Sequence, residues 1–266
     1  MTHWPTYFIP HGGGPCFFMD PPAGLPKDTW DSMADFLKGM DDALGARPKA
    51  VLVISAHWQT KTPAVHVGET PDLLFDYYGF PAHTYELTYP VKGDPSLAAH
   101  VQEVLAKAGW ESKTEHERGL DHGLFIPFKL IYPEADVPMV QLSMPDTSDP
   151  NVHLAFGRAL APLRDEGVLI VGSGLSYHNL REFFSGRTVK EARAFDDWIH
   201  DAVIRPDDRN DVLLNWEDAP GARISHPTPE HFLPLLIAAG AATGDPATRV
   251  YSGEVAGNAV SGYRFG

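Results

Sequence analysis

The chain has 266 residues, 43% of them hydrophobic, with 21 Lys and Arg against 35 Asp and Glu, a formal net charge of −14 and a single cysteine. That length and apolar content bury a core and exclude a disordered chain. The acidic balance excludes a nucleic-acid partner, which needs a basic face, and an anionic membrane surface. TYFIP (6–10) reads as a first strand. From Thr29 to Leu44, Trp30, Met33, Phe36, Leu37, Met40 and Leu44 recur at helical spacing, and Gly45 can end that helix. KAVLVISA (49–56) is a continuous apolar run of the kind buried on both faces of a sheet, and TPAVHVG (62–68) is a further strand. Leu97, Val101, Val104 and Leu105 line one side of a helix that Gly109 ends. VPMVQLS (137–143) and GVLIVGSG (167–174) are two more buried strands, with a helix-period stretch at 151–164 between them.

This alternation predicts an α/β fold, a single domain over 1–266 with a mixed, largely parallel central sheet covered by helices on both faces. No internal repeat or Gly/Ser linker interrupts it. One cysteine forms no intrachain disulfide, and the apolar runs at 50–56 and 234–242 fall short of the ~20 residues of a membrane span. The N-terminal MTHWPTYFIPHGGGP lacks the basic start and apolar stretch of a signal peptide, so a cytoplasmic protein is expected. A homodimer is the base-rate oligomer.

Open α/β sheets build their sites at the carboxyl ends of strands. In this sequence those ends carry histidine: His11 after TYFIP, His57 after VLVISA, and His178 four residues after GVLIVGSG. His231 lies in HPTPEHFLPL, where Thr228 as N-cap and Pro229 at the first helical position would put it in the first turn of a helix. A lone histidine at a strand end is ordinarily a packing residue, but packing does not call for imidazole at several buried strand ends, whereas a metal or acid/base site does. His122, in RGLDHGLFIPF, sits in a loop entering an apolar helix and joins the candidates. His226 and His231 are five apart with two prolines between, so at most one reaches the site. His3, His66, His83, His100, His116, His153 and His200 read as surface residues. HExxH, CxxC and a Walker lysine are all missing, and the GxSxG elbow fails at Val171. Ser173 and Cys16 therefore read as structural.

HGGGP, SAHW, DHGLFIPF with ADVPMVQLS after it, GSGLSYHNLR and HPTPEHFLPLL, in this order and spacing, resemble the class III extradiol ring-cleavage dioxygenases, most closely the 4,5-DOPA dioxygenase-like (DODA-type) branch. The resemblance runs from about Tyr7 to about Ala242. It implies a non-haem metal held by His11, His57 and His231, with His178 as a base near the metal and a candidate fourth ligand. It further implies that His122 contacts substrate or oxygen. FDYYGFPAHTYEL (75–87) resembles the family's loop over the substrate, which makes Asp76, Phe80 and Tyr85 candidate substrate-binding residues.

Ring opening needs a metal with open positions, which three protein ligands leave free, and an acid/base group near neutrality, which imidazole supplies. The expected function is cleavage of a catechol-type (3,4-dihydroxyphenyl) substrate with O2 to a muconic semialdehyde-type product, with Fe(II) as cofactor. Three neutral ligands also suit Zn(II). A zinc hydrolase on the same ligands and a non-catalytic metal-binding interaction protein are the alternatives.

Overall fold

The β-branched run at 49–56 sends its side chains alternately to two cores, Val51 and Val53 to one face and Leu52 and Ile54 to the other. It belongs to β2 (Ala50–Thr60), at the middle of an eight-stranded sheet with β1 (Thr6–Pro10), β3 (Ala64–His66), β4 (Lys113–Glu115), β5 (Met139–Pro145), β6 (Val168–Gly174), β7 (Ala247–Val255) and β8 (Asn258–Phe265). The order is β4-β3-β5-β2-β6-β1-β8-β7 among the described residues. The central β5, β2, β6 and β1 are mutually parallel, while β3 joins β5 and β8 joins both β1 and β7 in antiparallel fashion. The computed structural model describes residues 3–266; Met1 and Thr2, the start of the N-terminal stretch read above, lie outside them.

Helices cover both faces. One face carries α3 (Pro95–Lys107), α5 (Pro150–Leu160), α6 (Val189–Val203) and, after the short α7 (Arg209–Leu213) and α8 (Ala222–Ser225), α9 (Leu233–Ala241), packed on Leu52, Ile54 and Ile170. On the other, α1 (Asp31–Lys38) and α4 (His122–Ile131) pack on Val51, Val53 and Val171. The mixed, largely parallel α/β sheet expected from the sequence is the one observed.

Several local readings change. The helix expected over 29–44 breaks at Gly39 into α1 and α2 (Met40–Leu44), because glycine gives up the most backbone entropy in a helix interior. The strand expected over 62–68 shrinks to Ala64–His66, since Pro63 has no N–H for the ladder. His66 and His153 are buried and not on the surface. His153 lies on the inward face of α5, with its Nε2 2.8 Å from the Thr147 carbonyl, and His66 Nδ1 accepts the Gly68 N–H at 3.3 Å. The β7–β8 hairpin has no counterpart in the sequence reading. Its turn places Ala256 (φ 51°) and Gly257 (φ 83°) both in the left-handed region, the conformation of a type I′ turn. No helix among the described residues is long and apolar enough to cross a membrane.

Candidate active site

The carboxyl ends of β1, β2 and β6 converge on one cleft of about 610 Å3 whose floor is imidazole. His11 follows β1 directly. His57 lies inside β2, which runs to Thr60, four residues past the expected strand end at 56; the β2–β5 register shifts between Ile54 and Gln59, which releases Ser55–Trp58 from the β5 ladder. His231 sits in a turn before α9. The cap expected at Thr228 and Pro229 is not formed: α9 starts at Leu233 with Pro234 in its first turn, and Thr228 Oγ1 donates instead to Glu230.

Two glycines of β6 bring these segments together. A Cβ on Gly174 would overlap the His231 carbonyl, and one on Gly172 the Pro234 carbonyl. In that close approach the His11 N–H donates to the Gly174 carbonyl at 3.2 Å, and the Leu175 N–H to the His231 carbonyl at 3.0 Å. The glycines of GVLIVGSG thus serve backbone contact, and Ser173 is structural, its Oγ donating to the Gly123 carbonyl.

His11, His57 and His231 each bring a ring nitrogen within 4.8 Å of the others. His11 Nδ1 donates to the Gly12 carbonyl at 2.9 Å, which leaves Nε2 as a lone pair, buried and without a partner. His231 Nδ1 lies 3.2 Å from Glu230 Oε1, while its Nε2 faces His57 Nε2 at 3.3 Å. Burial, reinforced by the neighbouring imidazoles, holds His11 and His231 well below the usual histidine range and brings His57 down to about 3, despite the opposing pull of Asp76 on His57. Three neutral rings with converging nitrogens, one of them otherwise orphaned, fit a divalent transition metal. Glu230 is turned to the Nδ1 side of His231, so it orients the ring as an outer carboxylate.

The other two candidate histidines flank this triad. His122, the first residue of α4, donates Nδ1–H to Asp76 Oδ1 at 2.7 Å, and its backbone N–H reaches the same oxygen at 3.0 Å. Its ring lies 4.0 Å from that of His57. Burial pushes the Asp76 carboxyl up, but the hydrogen bonds it accepts from the His122 ring and backbone, with the electrostatic pull of the neighbouring imidazoles, outweigh it and hold the group below its ordinary value. His178 stacks on His231, with centroids 3.3 Å apart and planes at 14°, and its Nδ1 faces Glu230 Oε1 at 3.6 Å. It groups with Glu230 and His231 and stands outside the tight triad of His11, His57 and His231. Burial raises Glu230, yet its contacts with His178, its own backbone and Thr228 bring it down to about 2.

Of the three loop residues singled out above, Asp76 and Phe80 line the cleft. Asp76 spends its carboxylate on His122. Tyr85 does not line it: its hydroxyl receives the Phe80 N–H at 3.4 Å, and its ring packs on Tyr77 and Phe75, so it supports the loop from behind. Tyr77 lines the wall in its place, and burial pushes its phenol up to about 12 while its O–H donates to the Thr84 carbonyl. His226 stays out, packed against Phe195, Trp216 and Phe232 with Nε2 3.0 Å from the Ser176 carbonyl. Cys16 is a packed thiol that burial pushes up and that accepts the Gly13 N–H.

Sequence reasoning missed a buried support behind His57. Asp121, with no exposed surface, accepts from Ser55 Oγ at 2.7 Å, Gln141 Nε2 at 2.6 Å and Arg118 at 2.9 Å. Arg118 also donates to the His57 carbonyl at 3.1 Å and lies over the Trp58 ring. The i, i+3 spacing of Arg118 and Asp121 was the one available signal.

Comparison with known proteins places this arrangement. Residues 5–265 match the family described as the catalytic LigB subunit of aromatic ring-opening dioxygenase. A 4,5-DOPA dioxygenase extradiol of Beta vulgaris is 41% identical over 240 residues, covering 89% of this chain and 86% of that protein. Dioxygenase tasH of Hapsidospora irregularis is 38% identical, covering 98% and 85%, and a 4,5-DOPA dioxygenase extradiol of Escherichia coli is 35% identical, covering 90% and 86%. The crystal structure of an uncharacterized Escherichia coli K12 protein superposes with a TM-score of 0.78 at 31% identity, over 99% of this chain and all of that one. The chain therefore belongs to the LigB family of metal-dependent aromatic ring-opening dioxygenases and, within it, to the DODA-type class III extradiol enzymes.

Proposed function

We propose that the protein uses Fe(II), held by His11, His57 and His231, to open a 3,4-dihydroxyphenyl ring with O2 next to the diol, giving a muconic semialdehyde-type product. The observation that supports this most directly is the buried three-imidazole floor with two further imidazoles, His122 and His178, each facing its own carboxylate. Ferrous iron, when bound, supplies open coordination positions and a path for electron density between catechol and O2.

The remaining work falls to the chain. His178 accepts a catechol proton at a ring nitrogen, and Glu230 steadies the imidazolium that results. His122, with Nδ1–H committed to Asp76, has Nε2 left to meet substrate or oxygen. Tyr77, Phe80 and Trp30 form apolar walls that hold the ring and keep water out. In the balanced reaction the bond between one hydroxylated carbon and its unhydroxylated neighbour breaks, and both atoms of O2 enter the product as aldehyde and carboxylate oxygens. DOPA, for which several relatives are named, is one member of this substrate class.

The test is to load the protein anaerobically with Fe(II) or with Zn(II), then add air and a panel of catechols while recording oxygen uptake and visible absorbance. Iron-dependent uptake of one O2 per ring with a yellow product is expected. Silence across the panel with ferrous iron still bound, or a zinc-dependent reaction indifferent to oxygen, would overturn the proposal.

A further inference from the structure

Beyond the histidine floor, the cleft is larger and more apolar than a catechol ring requires. Its volume of about 610 Å3 lies within the ~300–1,000 Å3 that enclose drug-sized ligands, so a single six-membered ring leaves much of it unfilled. The unfilled part leads outward. Tyr78, Leu180 and Phe184 line it and are 91%, 71% and 57% exposed, the three most exposed large apolar side chains among the described residues. Large apolar groups left in water around a cleft mark a surface that a ligand covers.

Charge points the same way. The charged side chains lining the cleft are Asp20, Asp76 and Glu230, and among the described residues no Lys or Arg lines it. Arg118, behind His57, is taken up by Asp121. Lys129 donates to the Thr88 carbonyl, away from the cleft. Arg181 follows Leu180 but does not line the cleft. A carboxylate on the ring substituent, across the ring from the diol that meets the metal, would find no lysine or arginine partner and would face the negative charge of the cleft carboxylates.

We infer that the substrate is a catechol whose ring substituent is extended, apolar and free of carboxylate, seated against Tyr78, Leu180 and Phe184. This rests on the catechol reading above. It puts DOPA, an amino acid, on the disfavoured side of the panel.

The test compares 3-(3,4-dihydroxyphenyl)propanoic acid with its methyl and butyl esters, which share the ring and differ in charge and apolar length. Two readouts are needed: kcat/KM of the iron-loaded enzyme in air, and anaerobic calorimetric binding to the zinc-loaded protein. The methyl ester should exceed the acid by at least about tenfold in both, as a buried charge without a partner demands. The butyl ester should gain at least a further factor of about four, the worth of one buried methylene. Leu180→Lys, on a side chain exposed enough to spare the fold, should narrow the acid-to-ester gap by about two- to fivefold. An acid that binds and turns over as well as its esters, or no dependence on ester length, overturns the inference. Esters that bind preferentially without oxygen uptake uphold it and overturn the ring-opening proposal instead. Failure of acid and esters alike to bind overturns it too.

Discussion

Replacing Arg118 with methionine should destabilise the protein and loosen the metal site together. Asp121 is fully buried, and among the described residues Arg118 is its one salt-bridge partner; Ser55 and Gln141 remain as neutral donors. Removing one member of such a pair leaves a buried charge uncompensated, at a cost of roughly 3–5 kcal/mol. Arg118 itself is 18% exposed, which puts the expected loss near the lower end, about 3 kcal/mol, or a fall of about 6–12 °C in Tm. Burial already raises the Asp121 carboxyl, and Arg118 is the largest influence pulling it back. A carboxyl raised in the native state makes that state bind the extra proton, so its contribution to stability falls as pH rises from the unfolded-state pKa through the folded one. The deficit of R118M should therefore be widest near neutrality and shrink on acidification. D121N in the same background should recover part of it by removing the unpaired charge. Urea unfolding of R118M, D121N and the double variant at several pH values measures all three effects, and a chelator competition should show metal affinity about tenfold weaker because the His57 carbonyl loses its donor. A loss below about 1 kcal/mol, or one that does not shrink at low pH, would refute the reasoning.

Other consequences can be checked separately. His178→Ala should retain metal by elemental analysis while kcat falls by about 10²–10⁴, the range for loss of a general base; full turnover would remove His178 from the mechanism. Glu230→Gln should weaken metal binding by about 10–100-fold in chelator competition, since the carboxylate orients His231 from its Nδ1 side. Stability of the metal-free protein should rise with pH up to about 6.5, because burial holds His226 down to about 3 and only the unfolded chain takes up its proton in that window. His226→Gln should flatten the rise by up to about 1.4 kcal/mol per pH unit, read from urea midpoints. Gly123→Ala should cost both stability and metal affinity, as its Cβ would overlap Ser55 Oγ and press on the His57 ring; native-like melting and metal content would contradict this.

The parallel centre of the sheet was legible because β2, β5 and β6 are short runs dominated by apolar residues, with histidine near two of their ends. The β7–β8 hairpin was not. ATRVYSGEV mixes exposed and buried positions on an edge strand, and its turn uses Ala256 where Asn or Asp would have signalled a type I′ turn. His231 was legible as a candidate, but its placement was misread: Thr228 and Pro229 imitate a helix start, whereas the close approach to Gly174 holds the segment as a turn. Phe183, Phe184 and Leu180 lie between elements without periodicity, and nothing local to them indicates that they share a cleft with Tyr78. Tyr85, expected among the substrate-binding residues, packs on Tyr77 and Phe75 behind the loop, a placement that the loop's sequence alone does not give.

The three imidazoles of the floor come from positions 11, 57 and 231 and are joined through β6, a strand laid down late in the chain. During synthesis, no metal centre of this geometry can form until residue 231 has emerged and the β6 glycines have docked against it. An unfinished or truncated chain therefore has the earlier histidines without the pocket. For the metal proposed above, capture would be a readout of completed tertiary assembly, and the ion would not settle on an open, partly folded polypeptide.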